Sequence, residues 1–125
     1  MAYRYGKNIG IAFQLMDDWL DFVSSAELLG KPSAADLSLG LATAPVLFAS
    51  EQFPELNKLI LRRFSQPNDV QTAFELVCQS EGLRQTKLLA NKYKDAAMES
   101  ISKMNHSEDK EKLTYIAEKV ISRMN

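Results

Sequence analysis

The protein has 125 residues, 46% of them hydrophobic, and its 16 acidic and 15 basic side chains leave a formal net charge of −1. That length suits one domain able to bury about two-thirds of its unfolded surface, and the apolar content excludes disorder. The near-neutral balance excludes a general electrostatic pull toward nucleic acid, and a single cysteine, Cys78, excludes a disulfide scaffold. No apolar run approaches the roughly 18 residues of a membrane span, so no transmembrane segment is expected. Met1–Gly6 carries neither the apolar stretch of a secretory signal nor the composition of a transit peptide.

Five glycines and four prolines punctuate a chain whose apolar spacing is helical nearly throughout. A first helix is expected over about 5–23, where Ile9, Ala12, Phe13, Met16, Leu20 and Val23 recur at three- and four-residue steps. Residues 24–36 read as a loop. A second helix follows from Leu37 or Leu41 to Gln52, with Pro45 either in its first turn or kinking it. Pro54 marks the first turn of a third helix reaching about Phe64. Ser65–Asp69 is a turn with capping residues, leading to a fourth helix that ends near Gln79.

Beyond Gly82, a fifth helix over about 83–104 keeps Thr86, Leu89, Ala90, Tyr93, Ala97 and Ile101 on one side. Asn105-His106-Ser107 breaks it. The last helix has a stripe of Leu113, Ile116, Ala117, Val120, Ile121 and Met124. With no repeat, linker or low-complexity segment, residues 1–125 are expected to form a single all-α unit, a helical bundle.

Residues 1–50 hold five acids and three Lys/Arg, whereas residues 51–125 hold eleven and twelve in a mixed pattern such as Glu108-Asp109-Lys110-Glu111-Lys112. The mixed pattern reads as solvated helix faces, so any chemistry is expected in the first part. There, Gln14, Asp17, Asp18 and Asp21 are spaced by three, four and seven, which puts them on one stripe of a helix about 10 Å long. Ile11, Phe13, Leu15, Met16, Trp19, Leu20, Phe22 and Val23 surround them. Three carboxylates in apolar surroundings repel one another and lose hydration, and the C-terminal end of a helix dipole disfavours them further. A hard cation resolves the conflict, because Mg²⁺ takes oxygen ligands and shares one or two carboxylates with a substrate phosphate. The plainer reading is a solvated acidic face.

In Gly30-Lys31-Pro32-Ser33-Ala34-Ala35-Asp36-Leu37, Lys31 could offer a point charge to a phosphate, and Asp36 could cap the next helix or orient that lysine. An ordinary capped loop explains the same residues. A carboxylate-held metal facing a lysine loop describes a diphosphate site. His106 reads as a surface residue and Cys78 as core packing, and the four tyrosines are too scattered to stack on bases.

The run Gly10-Ile11-Ala12-Phe13-Gln14-Leu15-Met16-Asp17-Asp18-Trp19-Leu20-Asp21-Phe22 is followed by Gly30-Lys31-Pro32, Ala35-Asp36-Leu37 and Leu39-Gly40-Leu41-Ala42-Thr43-Ala44-Pro45-Val46-Leu47. Together these resemble the trans-polyprenyl diphosphate synthases, most closely the catalytic subunits of the long-chain mitochondrial type that make decaprenyl or solanesyl diphosphate. The likeness continues through Phe53-Pro54-Glu55, Arg62-Arg63-Phe64-Ser65 and Tyr93-Lys94-Asp95-Ala96, and so spans essentially the whole chain.

The resemblance implies an all-α isoprenoid-synthase-type fold and elongation of an allylic diphosphate with isopentenyl diphosphate, making the ubiquinone side chain. It also implies a mitochondrial location and a homo- or hetero-oligomer of synthase subunits. Asp17, Asp18 and Asp21 match the family's second aspartate-rich motif and would hold Mg²⁺, with Asp17, Asp18 and Lys31 in catalytic roles. Gln14, Lys31 and Asp36 would bind substrate. Ser38 stands where relatives often carry lysine, and nothing matches the first aspartate-rich motif or the isopentenyl diphosphate site. The resemblance therefore implies the C-terminal half of such an enzyme. A non-catalytic interaction module, a truncated isoform or pseudo-subunit partnering a full-length synthase, is the alternative. A metal-dependent terpene cyclase is a third reading, and the Lys31 loop with the L-G-x-x-T-x-P run favours the synthase.

Overall fold

The computed structural model describes residues 2–24, 35–102 and 108–122. Its elements, in order, are α1 (Ala2–Ser24), α2 (Ala35–Ser38), α3 (Ala44–Gln52), α4 (Leu56–Leu61), α5 (Asp69–Gln79), α6 (Gly82–Ser102) and α7 (Glu108–Ser122). No strand occurs among the described residues, and none of their helices is long and apolar enough to cross a membrane. Lys31, His106 and Met124 lie outside the described residues.

The helices form two compact units, residues 18–86 and residues 1–17 with 87–125. In the 18–86 unit, Phe22 from α1, Leu37 from α2, Val46 and Ala49 from α3, Leu56 and Leu59 from α4, and Phe74 and Val77 from α5 share one apolar core. Phe22 and Phe74 stack with ring centroids 5.6 Å apart, an arrangement that adds about 0.5–1.5 kcal/mol to their burial. Pro45 sits in the first turn of α3, where its missing N–H costs nothing, and the helix needs no kink. α4 begins at Leu56 rather than at Pro54, which stands in the preceding turn.

The α4–α5 turn closes on a side-chain fork. Arg62 Nε and Nη2 donate to the two oxygens of Asp69 at 2.8 and 2.7 Å, and the Gln66 N–H donates to Asp69 Oδ2 at 3.0 Å. The expected side-chain cap is absent: Asn68 precedes α5 with φ +70° and makes no capping hydrogen bond. The Asp69 carboxylate does the ordering instead, and the Arg62 hydrogen bonds hold its pKa below the ordinary carboxylate value.

At the start of α6, the Ser80 hydroxyl accepts the Gly82 N–H at 2.9 Å, and Gln52 Oε1 accepts the Glu81 N–H at 3.0 Å. A Cβ on Gly82 would lie 2.5 Å from the Pro45 carbonyl oxygen, so only glycine allows this approach to α3. Thr86, fully buried, satisfies its hydroxyl on the Gly82 carbonyl at 2.7 Å.

The other unit buries Tyr5, Ala97, Ile101 and Ala117, with Ile9, Met98 and Leu113 packed against them. The Tyr5 hydroxyl donates to the Leu113 carbonyl at 2.6 Å, which gives this buried phenol a partner. The α7 stripe is narrower than its spacing suggests. Ala117, Val120 and Ile121 are buried, but Ile116 is 48% exposed. Cys78 corrects another expectation: it lies exposed on α5 rather than in the core.

Two glycines test this packing in opposite directions. Gly82→Ala should lose about 1–3 kcal/mol, because the added carbon meets backbone that cannot give way. Gly10→Ala, in mid-helix with nothing within 4 Å of the new Cβ, should gain about 0.5–1 kcal/mol through helix propensity. Urea unfolding of both variants checks the contrast.

Candidate functional site

α1 runs unbroken through the motif carried by Gln14, Asp17, Asp18 and Asp21. Leu15, Met16 and Phe22 turn into buried surroundings while Gln14 and Phe13 are exposed. The carboxylates are not a solvated face. Asp18 is only 8% exposed, and Asp17 and Asp21 are half-buried. Gln14 and Asp17 belong to the unit of residues 1–17 and 87–125, whereas Asp18, Asp21 and Asp36 belong to the 18–86 unit.

Within the 18–86 unit, Asp21 does something that local sequence spacing does not reveal. Its Oδ1 accepts the Ala35 N–H at 3.1 Å and its Oδ2 accepts the Asp36 N–H at 3.3 Å. Both donors are amides of the first turn of α2, which have no acceptor inside that helix. The motif carboxylate thus ties α2 to α1, and Leu37 completes the attachment in the core. The Asp36 backbone N–H is thus held by Asp21, while Lys31, its possible partner, lies outside the described residues.

This tether gathers negative charge. Burial first, then the charges of Asp21 and Asp18, hold the Asp36 carboxyl above its ordinary pKa. The charges of two α1 carboxylates therefore reach the Asp36 carboxyl within one unit. Beyond them, α2 gives way to a turn at Gly40, whose φ of +79° suits glycine. A Cβ there would sit 3.1 Å from the Arg63 carbonyl oxygen and 3.2 Å from the Arg63 Cβ. At the start of α3 the Thr43 hydroxyl oxygen is buried with no hydrogen-bond partner among the described residues.

Among the described residues, no group of three His, Cys, Asp or Glu side chains is arranged to hold a metal ion by itself. The donors that do gather are carboxylate oxygens, without thiolate or imidazole. Such a set suits a hard cation that keeps waters and takes further oxygens from a phosphate, rather than an all-protein cage.

A carboxyl with a raised folded-state pKa opposes folding at neutral pH, and the penalty fades as pH falls through that value toward about 3.8–3.9. Asp36→Asn should therefore stabilise the metal-free protein at pH 7 by about 0.2–0.5 kcal/mol, the scale of a partly solvated like-charge pair. The gain should disappear below about pH 4. Thermal melts of both proteins across that range check it.

A family model described as polyprenyl synthetase matches residues 1–77. All trans-polyprenyl-diphosphate synthase PDSS1 of Homo sapiens is 54% identical over 123 residues, covering 98% of this chain and 30% of the human protein. A probable mitochondrial hexaprenyl pyrophosphate synthase of Neurospora crassa is 52% identical over 122 residues, covering 98% of this chain and 27% of its own. The chain thus spans less than a third of the length of these two relatives.

Among solved structures, the apo form of an Arabidopsis medium/long-chain length prenyl pyrophosphate synthase superposes with a TM-score of 0.84. That match is 35% identical and covers 99% of this chain and 44% of that one. A Caulobacter crescentus polyprenyl synthase, complexed with calcium and isoprenyl diphosphate, gives a TM-score of 0.75 at 35% identity over 97% of this chain and 38% of that one. The all-α architecture, the aspartate-rich α1 and these matches converge, and the chain belongs to the polyprenyl synthetase family.

Proposed function

We infer that this chain is the part of a trans-polyprenyl diphosphate synthase that grips a metal-bound diphosphate, read as one all-α, C-terminal portion of the enzyme. The whole enzyme would elongate an allylic diphosphate with isopentenyl diphosphate, supplying the ubiquinone side chain. The observation that carries this reading is the gathering of Asp18, Asp21 and Asp36 in partly buried surroundings, with Asp21 hydrogen-bonded to the Asp36 amide and the Asp18 and Asp21 charges acting on the Asp36 carboxyl. A solvated acidic face would have no reason to lose water or share a field.

Asp17, Asp18 and Asp21 are the residues that would hold Mg²⁺, which supplies positive charge for a leaving diphosphate. The chain's own part is positional. α1 fixes the spacing of the three carboxylates, and Asp21 anchors α2 while each of its oxygens keeps a lone pair that a cation could take. Gln14, exposed on the same helix, would line the allylic substrate, and Lys31 would contact the diphosphate oxygens. The calcium and isoprenyl diphosphate named for the Caulobacter crescentus structure are consistent with this chemistry. By the same likeness to mitochondrial relatives we assign the chain to mitochondria, in an oligomer with synthase subunits.

A second reading has its own observation. On α1, Tyr3 is 80% exposed, Phe13 is 44% exposed, and Gly6 and Gly10 have open space around them. An aromatic, glycine-containing face of this kind also suits an interaction module that packs on a synthase subunit and needs no carboxylates.

Calorimetry with inorganic diphosphate and Mg²⁺ separates the two readings. The wild-type chain should bind, and Asp17→Ala combined with Asp18→Ala should weaken binding about tenfold or more, since a lost charged contact is worth about 1.5–3 kcal/mol. Unchanged binding would sink the metal-diphosphate role, and retained subunit binding without diphosphate binding would favour the module. Incorporation of labelled isopentenyl diphosphate by the chain alone should stay near background. One aspartate-rich motif positions the diphosphate from one side only, and robust turnover would contradict this.

A further inference from the structure

Ser65 is the one Ser or Thr in the sequence with arginines both two and three residues before it, in Arg62-Arg63-Phe64-Ser65. Arginine-directed protein kinases select substrates through such charge patterns, their acidic clefts reading the guanidinium groups while the acceptor segment lies extended. The segment lies in the α4–α5 turn, where Arg63 packs against Gly40 just beyond α2, and the metal-diphosphate reading gives it no role.

In the folded chain the hydroxyl and Arg63 are exposed, while Arg62, the other half of the recognition signal, is held. Ser65 is exposed, but Arg62 is engaged by both oxygens of Asp69, a side chain only 5% exposed. Phe64 is buried in the core. Arg63 and Phe64 both adopt φ +55° and Asn68 adopts φ +70°, the reverse of an extended strand. Three non-glycine residues in this region within six positions represent stored backbone strain, held by the fork, the Gln66 amide and the Phe64 side chain.

The geometry points to Ser65 as a phosphoryl-acceptor site in a turn that the Arg62–Asp69 fork keeps masked, and whose fork the added phosphate would rearrange. The acceptor oxygen, Ser65 Oγ, bonds to the γ-phosphorus of ATP as the bond from that phosphorus to the bridging oxygen breaks. ADP leaves and the hydroxyl proton passes to the kinase's base. Ser65 N–H already donates to the Arg62 carbonyl at 3.2 Å, so the new dianion forms within one turn of Arg62. It competes with Asp69 for the Arg62 guanidinium. Asp69 then stands buried without its cation, an arrangement that favours an open turn. The element is bistable: one arginine, two candidate anions.

The test uses a purified arginine-directed Ser/Thr kinase with radiolabelled ATP, acting on the folded chain and on a synthetic peptide of residues 59–70. The peptide should be labelled on Ser65, and the folded chain about tenfold or more slowly, because it must open locally first. Asp69→Asn should move the chain toward the peptide's rate, and Ser65→Ala should abolish labelling. An unlabelled peptide, or equal rates for peptide and folded chain, overturns the proposal. Should circular dichroism show Asp69→Asn unfolded, wild-type labelling in urea below the unfolding midpoint decides. Acceleration ahead of global unfolding supports the mask, and acceleration only with global unfolding overturns it. The phosphorylated chain should also melt at a lower temperature than the unmodified one, and equal melting temperatures overturn the exchange of partners.

Discussion

In the 18–86 unit one carboxylate ties α2 to α1. Asp21 accepts two amides from the first turn of α2, a helix of four residues too short to be stable by itself. Those bonds satisfy donors that would otherwise need water, and they bring Leu37 into the core beside Phe22. They also place Asp36 near Asp18 and Asp21. The tether that satisfies these two amides thus also gathers like charge.

That trade explains how the unit can be well packed and still suited to a cation. Apolar burial from Phe22, Val46, Leu56 and Val77 stabilises the helices by roughly 1.5–3 kcal/mol per side chain. This far outweighs the tenths of a kcal/mol lost to partly solvated carboxylate repulsion. Scaffold and charge cluster share residues: α1 contributes Phe22 to the core one position after Asp21 meets the start of α2. The Arg62–Asp69 fork plays the equivalent part at the α4–α5 turn, where a buried carboxylate with a charged partner holds three left-handed residues in place.

Much of this was legible in the residue pattern, for physical reasons that differ from element to element. α1 and α5 follow from three- and four-residue apolar spacing, and Pro45 sits in the first turn of α3, one of the two places its missing N–H allows. Ile116 and Cys78 escaped the same logic. Periodicity tells which residues share a helix face, but not how wide a stripe the neighbouring helices cover. Asp69 was visible only as part of a capped turn, since nothing in the local pattern shows a carboxylate preferring an arginine seven residues earlier.

The amino-acid sequence by itself determined that the chain is helical, that its carboxylates crowd one stretch of α1, and which family that motif resembles. These are properties of spacing and side-chain chemistry along a single helix. Only the tertiary structure decided that Asp21 holds α2, that Asp36 shares the field of Asp18 and Asp21, and that Gly82 must stay small beneath the Pro45 carbonyl. Each depends on groups 14 to 37 residues apart in the chain, whose meeting is set by how the helices pack and which amides lack partners. No local propensity encodes that meeting.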